Sequence, residues 1–241
     1  MPDALPDRDL SGAVVDPVPP GLYPARTPLE GRYARVEPLD PREHADELWD
    51  ASHTGPEDDR LWDYLGYGPF TDPALFRNWV RDNAALADPT FYAIRQGKTG
   101  PASGVASFLN IRPKDGVIEI GHIWFGRALQ NTRESTEALY LMMRYALDDL
   151  GCRRLEWKCD ARNQPSRNAA ARLGFGFEGI FYQHIIVKGR NRDTAWFSIL
   201  DSEWPAIRAN FEDWLSPENF DGEGRQIRSL GEMNRPLRAT S

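Results

Sequence analysis

Glu119 and His122 stand three positions apart in the run Val117 to Phe125. Both side chains can accept a proton, so either could act as a base. The run alternates like a strand, which places them on opposite faces. Structural roles compete with that reading: a salt bridge for Glu119, a hydrogen-bonded, half-buried position for His122. The loop Gln130, Asn131, Thr132, Arg133, Glu134, Ser135 leads into the most periodic helical stretch of the chain, Thr132 to Leu150. A helix start offers free N–H groups and the positive end of a dipole, and both suit an anion. Asn131 and Glu134 fit a capping-box-like start, and Gly151 fits the stop. Arg133 could meet a phosphate with a fork of donors, or pair with Glu137 one turn on. Asn163 and Ser166 open a short helix over 165–173, where Asn163 can form an Asx turn and Ser166 a helix-start hydrogen bond. Trp62, Tyr64, Tyr67 and Phe70 crowd one loop as a pocket wall or a hydrophobic lid.

The elements that must position these residues follow from pattern and punctuation. Tyr33 to Glu37 alternates as a strand. Asp40-Pro41 opens a helix to about Ser52, and Thr71-Asp72-Pro73 opens another to about Ala87. Strands are expected at 90–95, 102–111 and 117–125, the last two joined by the turn Pro113-Lys114-Asp115-Gly116. After the long helix, 153–159 reads as a strand with Leu155 and Trp157 on one side and Arg154, Glu156 and Lys158 on the other. Residues 177–187 and 194–200 read as a hairpin around Lys188-Gly189-Arg190-Asn191. The order is that of a mixed α/β domain, not a doubly wound nucleotide fold. Residues 1–28 carry seven prolines and read as an arm. Residues 29–215 form the expected domain, and 216–241 read as a polar tail.

Composition narrows the function classes. The 241 residues suit one large domain with tails. A formal net charge of -7 argues against general nucleic-acid binding, which needs a basic face. Cys152 and Cys159 show no metal or redox spacing and read as reduced core thiols. The four histidines (His44, His53, His122, His184) show no metal-ligand spacing, so no metal is expected. The apolar runs fall short of a membrane span, and the acidic N-terminus does not read as a signal peptide. A cytoplasmic location is expected.

The segments VIEIGHIWFGRALQNTRESTEALYLMMRYA (117–146) and NQPSRNAAARLGFGFEG (163–179) resemble the paired motifs of the GNAT acetyltransferases. Asn163-x-x-Ser166, Leu173-Gly174-Phe175 and Glu178-Gly179 resemble its RimJ/RimL-like branch. The likeness spans about residues 30–202. It implies a central, mostly antiparallel twisted sheet flanked by helices. It also implies acetyl transfer from acetyl-CoA to a primary amine, on a protein N-terminus or a small molecule, by direct attack in a ternary complex. In the terms of that resemblance, Glu119 is the base, with His122 as the other candidate. Ser166 donates a proton to the leaving thiolate, because the family's tyrosine is replaced by Ala170. Asn163 and the backbone of Ile123, Trp124 and Phe125 hold the pantetheine arm. Residues 130–135 hold the pyrophosphate, although Arg133 and Ser135 fill the family's glycine positions. The aromatic loop faces the acceptor, Asp193 resembles the aspartate of the branch's hairpin, and homodimers are common. A rival from another class is an acyl-CoA-binding regulator with little turnover.

Overall fold

Aspartates set the first two helix starts. The structure is a computed structural model and describes residues 12–238. In α1 (Pro41–Ser52) the Asp40 carboxylate accepts from the Arg42 N–H, and in α2 (Pro73–Ala84) Asp72 accepts from the Ala74 N–H. Proline fills the first helical position of both, where its missing N–H costs nothing. A 3₁₀ helix, Pro56–Trp62, lies between them.

Eight strands form one sheet: β1 (Leu29–Glu30), β2 (Ala34–Pro38), β3 (Thr90–Gln96), β4 (Ala102–Arg112), β5 (Val117–Phe125), β6 (Arg154–Asp160), β7 (Gly176–Val187) and β8 (Arg190–Leu200). Their spatial order is β1-β2-β3-β4-β5-β6-β8-β7. Every neighbouring pair is antiparallel except β5 and β6. Strand alternation divides the core in two. Phe91, Ala93 and Val105 pack with Leu48, Phe76 and Val80 of α1 and α2. Tyr92, Ile94, Ala106 and Phe108 face the other way, into a larger core with α3 (Arg133–Arg144) and α5 (Trp204–Leu215). Cys152 and Cys159 are buried and unpaired.

The long helix differs from its sequence pattern at both ends. Asn131 sits at φ 57°, a left-handed turn that asparagine tolerates and that ends any helical path before it. The cap is therefore Thr132, whose Oγ1 accepts from the Ser135 N–H at 3.1 Å, and not the Asn131–Glu134 box. Past Arg144 the backbone widens into a π turn, Tyr145–Asp149, before Gly151 turns it at φ 62°.

The segment expected as a polar tail carries α6 (Leu230–Arg238), an amphipathic helix with buried Leu230 and Met233. Asn234 Nδ2 donates to the Arg172 carbonyl at 3.0 Å, and Arg238 Nε to the Gly174 carbonyl at 2.8 Å. Both acceptors lie at the end of α4 (Gln164–Arg172), so α6 clamps that helix from behind. The sparse apolar residues were the reason the segment looked like a tail: one turn of spacing is enough for a short helix but not for a clear periodic signal. Of the proline-rich arm, residues 1–11 lie outside the described residues. The remainder is held on the body, where the Ala25 N–H donates to the Tyr145 hydroxyl at 2.8 Å and Tyr92 donates to the Ala25 carbonyl at 3.1 Å.

Candidate active site

The site begins where two strands part. β5 and β6 pair in parallel only from Val117–Arg154 to Glu119–Glu156. Beyond that they separate, and backbone groups of both are left without a strand partner on the facing edge. A bulge in β5 drives the separation. Ser107 pairs with Gly121 and Val105 with Trp124, so β5 holds one residue more than β4 between those pairs. His122 takes it up in a left-handed conformation at φ 52°. The opening is a cavity of about 620 Å³ lined from β5, β6, α4, the 3₁₀ helix and the loop after β5. Glu119, His122, Asn163 and Ser166 all line it. Simple alternation put Glu119 and His122 on opposite faces; the extra residue brings both to one cavity.

Glu119 is buried at 5% exposure in a charged cluster. Its Oε2 accepts from Asn110 Nδ2 at 2.6 Å and from Lys158 Nζ at 2.9 Å. Oε1 takes no hydrogen bond among the described residues. It lies on the Gly121 side, where an added Cβ would come within 3.5 Å of it. Burial pushes the Glu119 carboxyl above its ordinary value, and the Lys158 cation pulls it part of the way back. Lys158 also meets Glu156 at 2.8 Å and sits 4.0 Å from the centre of the Trp196 ring. By alternation Lys158 shares the side of its strand with Arg154 and Glu156, and that pattern alone carries no role for it. The parallel register of Glu119 with Glu156 brings it into the cluster, and no local pattern encodes that register.

His122 lies against two aromatic rings, Phe91 at 5.0 Å and Tyr67 at 5.6 Å. Burial lowers its pKa, and the nearby Arg192 cation lowers it further, so the imidazole is neutral near pH 7. Ser166 Oγ accepts from Trp157 Nε1 at 3.1 Å, and its hydroxyl lies beside the Cys159 thiol, whose pKa burial pushes up and Ser166 pulls part of the way back. Asn163 caps α4, its Oδ1 accepting from the Ser166 N–H at 3.1 Å.

The loop into α3 supplies anion donors from its backbone. The backbone N–H groups of Asn131, Thr132, Arg133 and Glu134 have no acceptor among the described residues. Gln130 lines the cavity, and its Nε2 donates to the Phe125 carbonyl at 2.8 Å. The Arg133 guanidinium is occupied by stacking, 3.4 Å from the Phe220 ring centre and 4.7 Å from that of Tyr33. Glu137 does not pair with it. The Glu137 carboxylate accepts instead from the N–H groups of Arg32, Tyr33 and Ala34, at 2.9, 2.5 and 2.7 Å. Ser135 is buried within the first turn, its Oγ donating to the Thr132 carbonyl at 3.0 Å. Ile123 and Phe125 line the cavity, whereas the Trp124 side chain is buried in the smaller core beside Trp62.

The aromatic loop divides by role. Trp62 is buried in the smaller core with Phe70 and Tyr67 packed on it. Tyr64 alone of the four lines the cavity, and its hydroxyl reaches the Arg162 carbonyl at 3.4 Å across the opening. Two polar contacts fasten this loop down. Arg127 Nε donates to Asp58 at 2.6 Å, and Lys188 Nζ to the Trp62 carbonyl at 2.7 Å. Asp58 also accepts from the N–H groups of Thr54 and Gly55; these contacts with Arg127 overcome its desolvation and hold its carboxyl down at about 2. Asp193, at the hairpin, accepts from the Gln183 N–H at 2.8 Å and braces the turn.

Of residues 130–135 only Gln130 lines the cavity, and the free N–H groups sit on the helix start just past it. A mixed sheet opened between two parallel strands and leading into such a helix start is the architecture of an acyltransferase. The chain belongs to the GNAT acetyltransferase family: the model of the acetyltransferase (GNAT) domain matches residues 35–176. It is an acetyltransferase enzyme by that membership. A solved GCN5-related N-acetyltransferase from Brucella melitensis is 45% identical, with a TM-score of 0.86 over 89% of this chain and 96% of that one. An uncharacterised N-acetyltransferase, p20, of Bacillus licheniformis is 27% identical over 61% of this chain and 84% of that protein. YdaF of Bacillus subtilis (strain 168), provisionally named a ribosomal N-acetyltransferase, is 28% identical over 44% of this chain and 57% of its own length. Among the described residues no helix is long and apolar enough to cross a membrane.

Proposed function

We propose that this enzyme acetylates a primary amine directly, with Glu119 as the base, and that it sits in the RimJ/RimL-like branch. Acetyl-CoA fits the cleft: four free N–H groups at the start of α3 suit its pyrophosphate, and the unpaired edges of β5 and β6 suit the amides of its arm. When bound, it supplies the acetyl group as an activated thioester. Glu119 takes the proton from the incoming ammonium, directly or through one water, because only the neutral amine is nucleophilic. The observation that carries this is the Glu119 carboxylate: it is buried, Glu119 lines the cavity, and its Oε1 takes no hydrogen bond among the described residues. Lys158 and Asn110 hold the other oxygen and so fix the carboxylate plane. The Ser166 hydroxyl, in the cavity wall on the α4 side, is the proton donor to the departing sulfur. The contacts of Asp58 and Lys188 keep the Tyr64 loop over the cavity and limit water. The likeness to YdaF, whose provisional name is ribosomal N-acetyltransferase, supports N-acetylation. Replacing Glu119 by Gln keeps the shape and removes the base. Calorimetry should find acetyl-CoA binding retained while turnover drops about 10²-fold or more. Unchanged turnover between pH 6 and 9 would leave Glu119 a structural role only.

A further inference from the structure

A second cavity, about 710 Å³, adjoins the first behind the Tyr64 loop and the β7–β8 hairpin. Tyr64, Asp160 and Arg192 line both, so they stand at the passage between them. The second cavity has four cations on its wall, Arg162, Lys188, Arg190 and Arg192, against the carboxylates of Asp63 and Asp160. In a chain of formal charge -7, this is a local reversal of sign. The two carboxylates do not neutralise Arg192. Asp160 accepts from the Arg162 N–H at 2.8 Å, and no ion pair of Arg192 exists among the described residues. Arg192 Nε is buried and has no hydrogen-bond partner. Its charge is felt at His122, in the wall of the reaction cavity. A buried Nε–H without an acceptor is an open hydrogen-bond position, and the planar fork of the guanidinium matches a carboxylate.

We propose that Arg192 is an acceptor-recognition residue that pairs with a carboxylate on the incoming molecule, so that the acceptor is an amine carrying its own carboxylate. The inference rests on the amine-transfer reading above and narrows its acceptor class. The second cavity is the acceptor's way in, and its positive wall draws an anionic amine toward the passage. Arg192 then holds the carboxylate at the junction while the amine extends to the Glu119 side.

Equilibrium binding tests this without requiring turnover. Glycine, diglycine and triglycine, each against its amide, carry the same kind of amine with a carboxylate at increasing reach. Calorimetry on the full chain saturated with CoA should find at least one acid bound about tenfold or more tighter than its amide, as for a charge-assisted pair. Rising salt should narrow that gap. Arg192→Gln should close it and raise the His122 pKa, read by NMR; Arg192→Lys should retain part of the preference. Equal binding of every acid and amide by the unmodified protein overturns the proposal. So does a gap that survives Arg192→Gln, or an Arg192→Gln variant whose affinity for CoA falls while the gap stays, which would assign the guanidinium to a CoA phosphate. If the acids bind as expected but no acetyl group is transferred, the transfer reading fails and the carboxylate site stands.

Discussion

Lys158 sets how far burial can raise Glu119. Removing water disfavours the carboxylate, and the ammonium 2.9 Å away restores part of the balance. A base must be unprotonated to act, so activity falls as pH drops through the Glu119 pKa, which lies above the ordinary carboxylate value of 4.5. Lys158→Met removes the pull toward the charged form. The acid limb of the kcat profile should then move to higher pH, while Glu156 keeps its contacts with Arg112 and Arg154 at 2.9 and 2.8 Å. A limb that stays in place in the variant would separate the titrating group from Glu119. Glu119 itself was legible in the sequence because a carboxylate on a strand before a helix start is a local pattern. Asn110, Lys158 and Arg192 were not, since strand register or a bulge brings Asn110 and Lys158 to Glu119 and Arg192 to the cavity wall. Arg133 was legible as a donor, yet two rings close to it only in the fold, Tyr33 and Phe220, occupy its face.

The loop before α2 behaves as one element because its polar contacts converge on Asp58 and on the hairpin. Asp58 is held down at about 2, against an ordinary 3.8, chiefly by Arg127 and Thr54 working against its desolvation. A lowered pKa in the folded state adds stability that is complete above the unfolded value and disappears as pH falls through the folded one. Asp58→Asn should therefore flatten the stability curve between about pH 4 and pH 2 relative to the unmodified protein, as read by acid unfolding. An unchanged acid profile would show that the loop is held by its aromatic packing alone. The first helix and six of the strands could be read from proline, aspartate and glycine punctuation to within a residue or two, whereas α2 ends at Ala84 and not near Ala87, β8 begins at Arg190 and not at 194, and the two-residue β1 left no signal. The bulge at His122 could not, because a single inserted residue leaves hydrophobic alternation looking intact on either side of it.

At the scale of the whole molecule, the outer described segments are tied to the body. α6 covers the end of α4, and the arm residue Ala25 ties to Tyr145 and Tyr92. Leu230 is fully buried, so Leu230→Ala should cost about 2–5 kcal/mol of unfolding free energy, the range for a truncated core leucine. A loss below about 0.5 kcal/mol by denaturant unfolding would mean that α6 adds little to the core. The central claim, amine acetylation in this cleft, is tested most directly by following free-thiol release from acetyl-CoA with the purified full chain and a panel of primary amines. The account predicts that thiol appears only when an amine is present, in equal amount to the acetylated amine, with an acid limb set by Glu119. Saturable acetyl-CoA binding with no amine-dependent thiol release from any member of the panel would contradict it and favour an acyl-CoA-binding regulator.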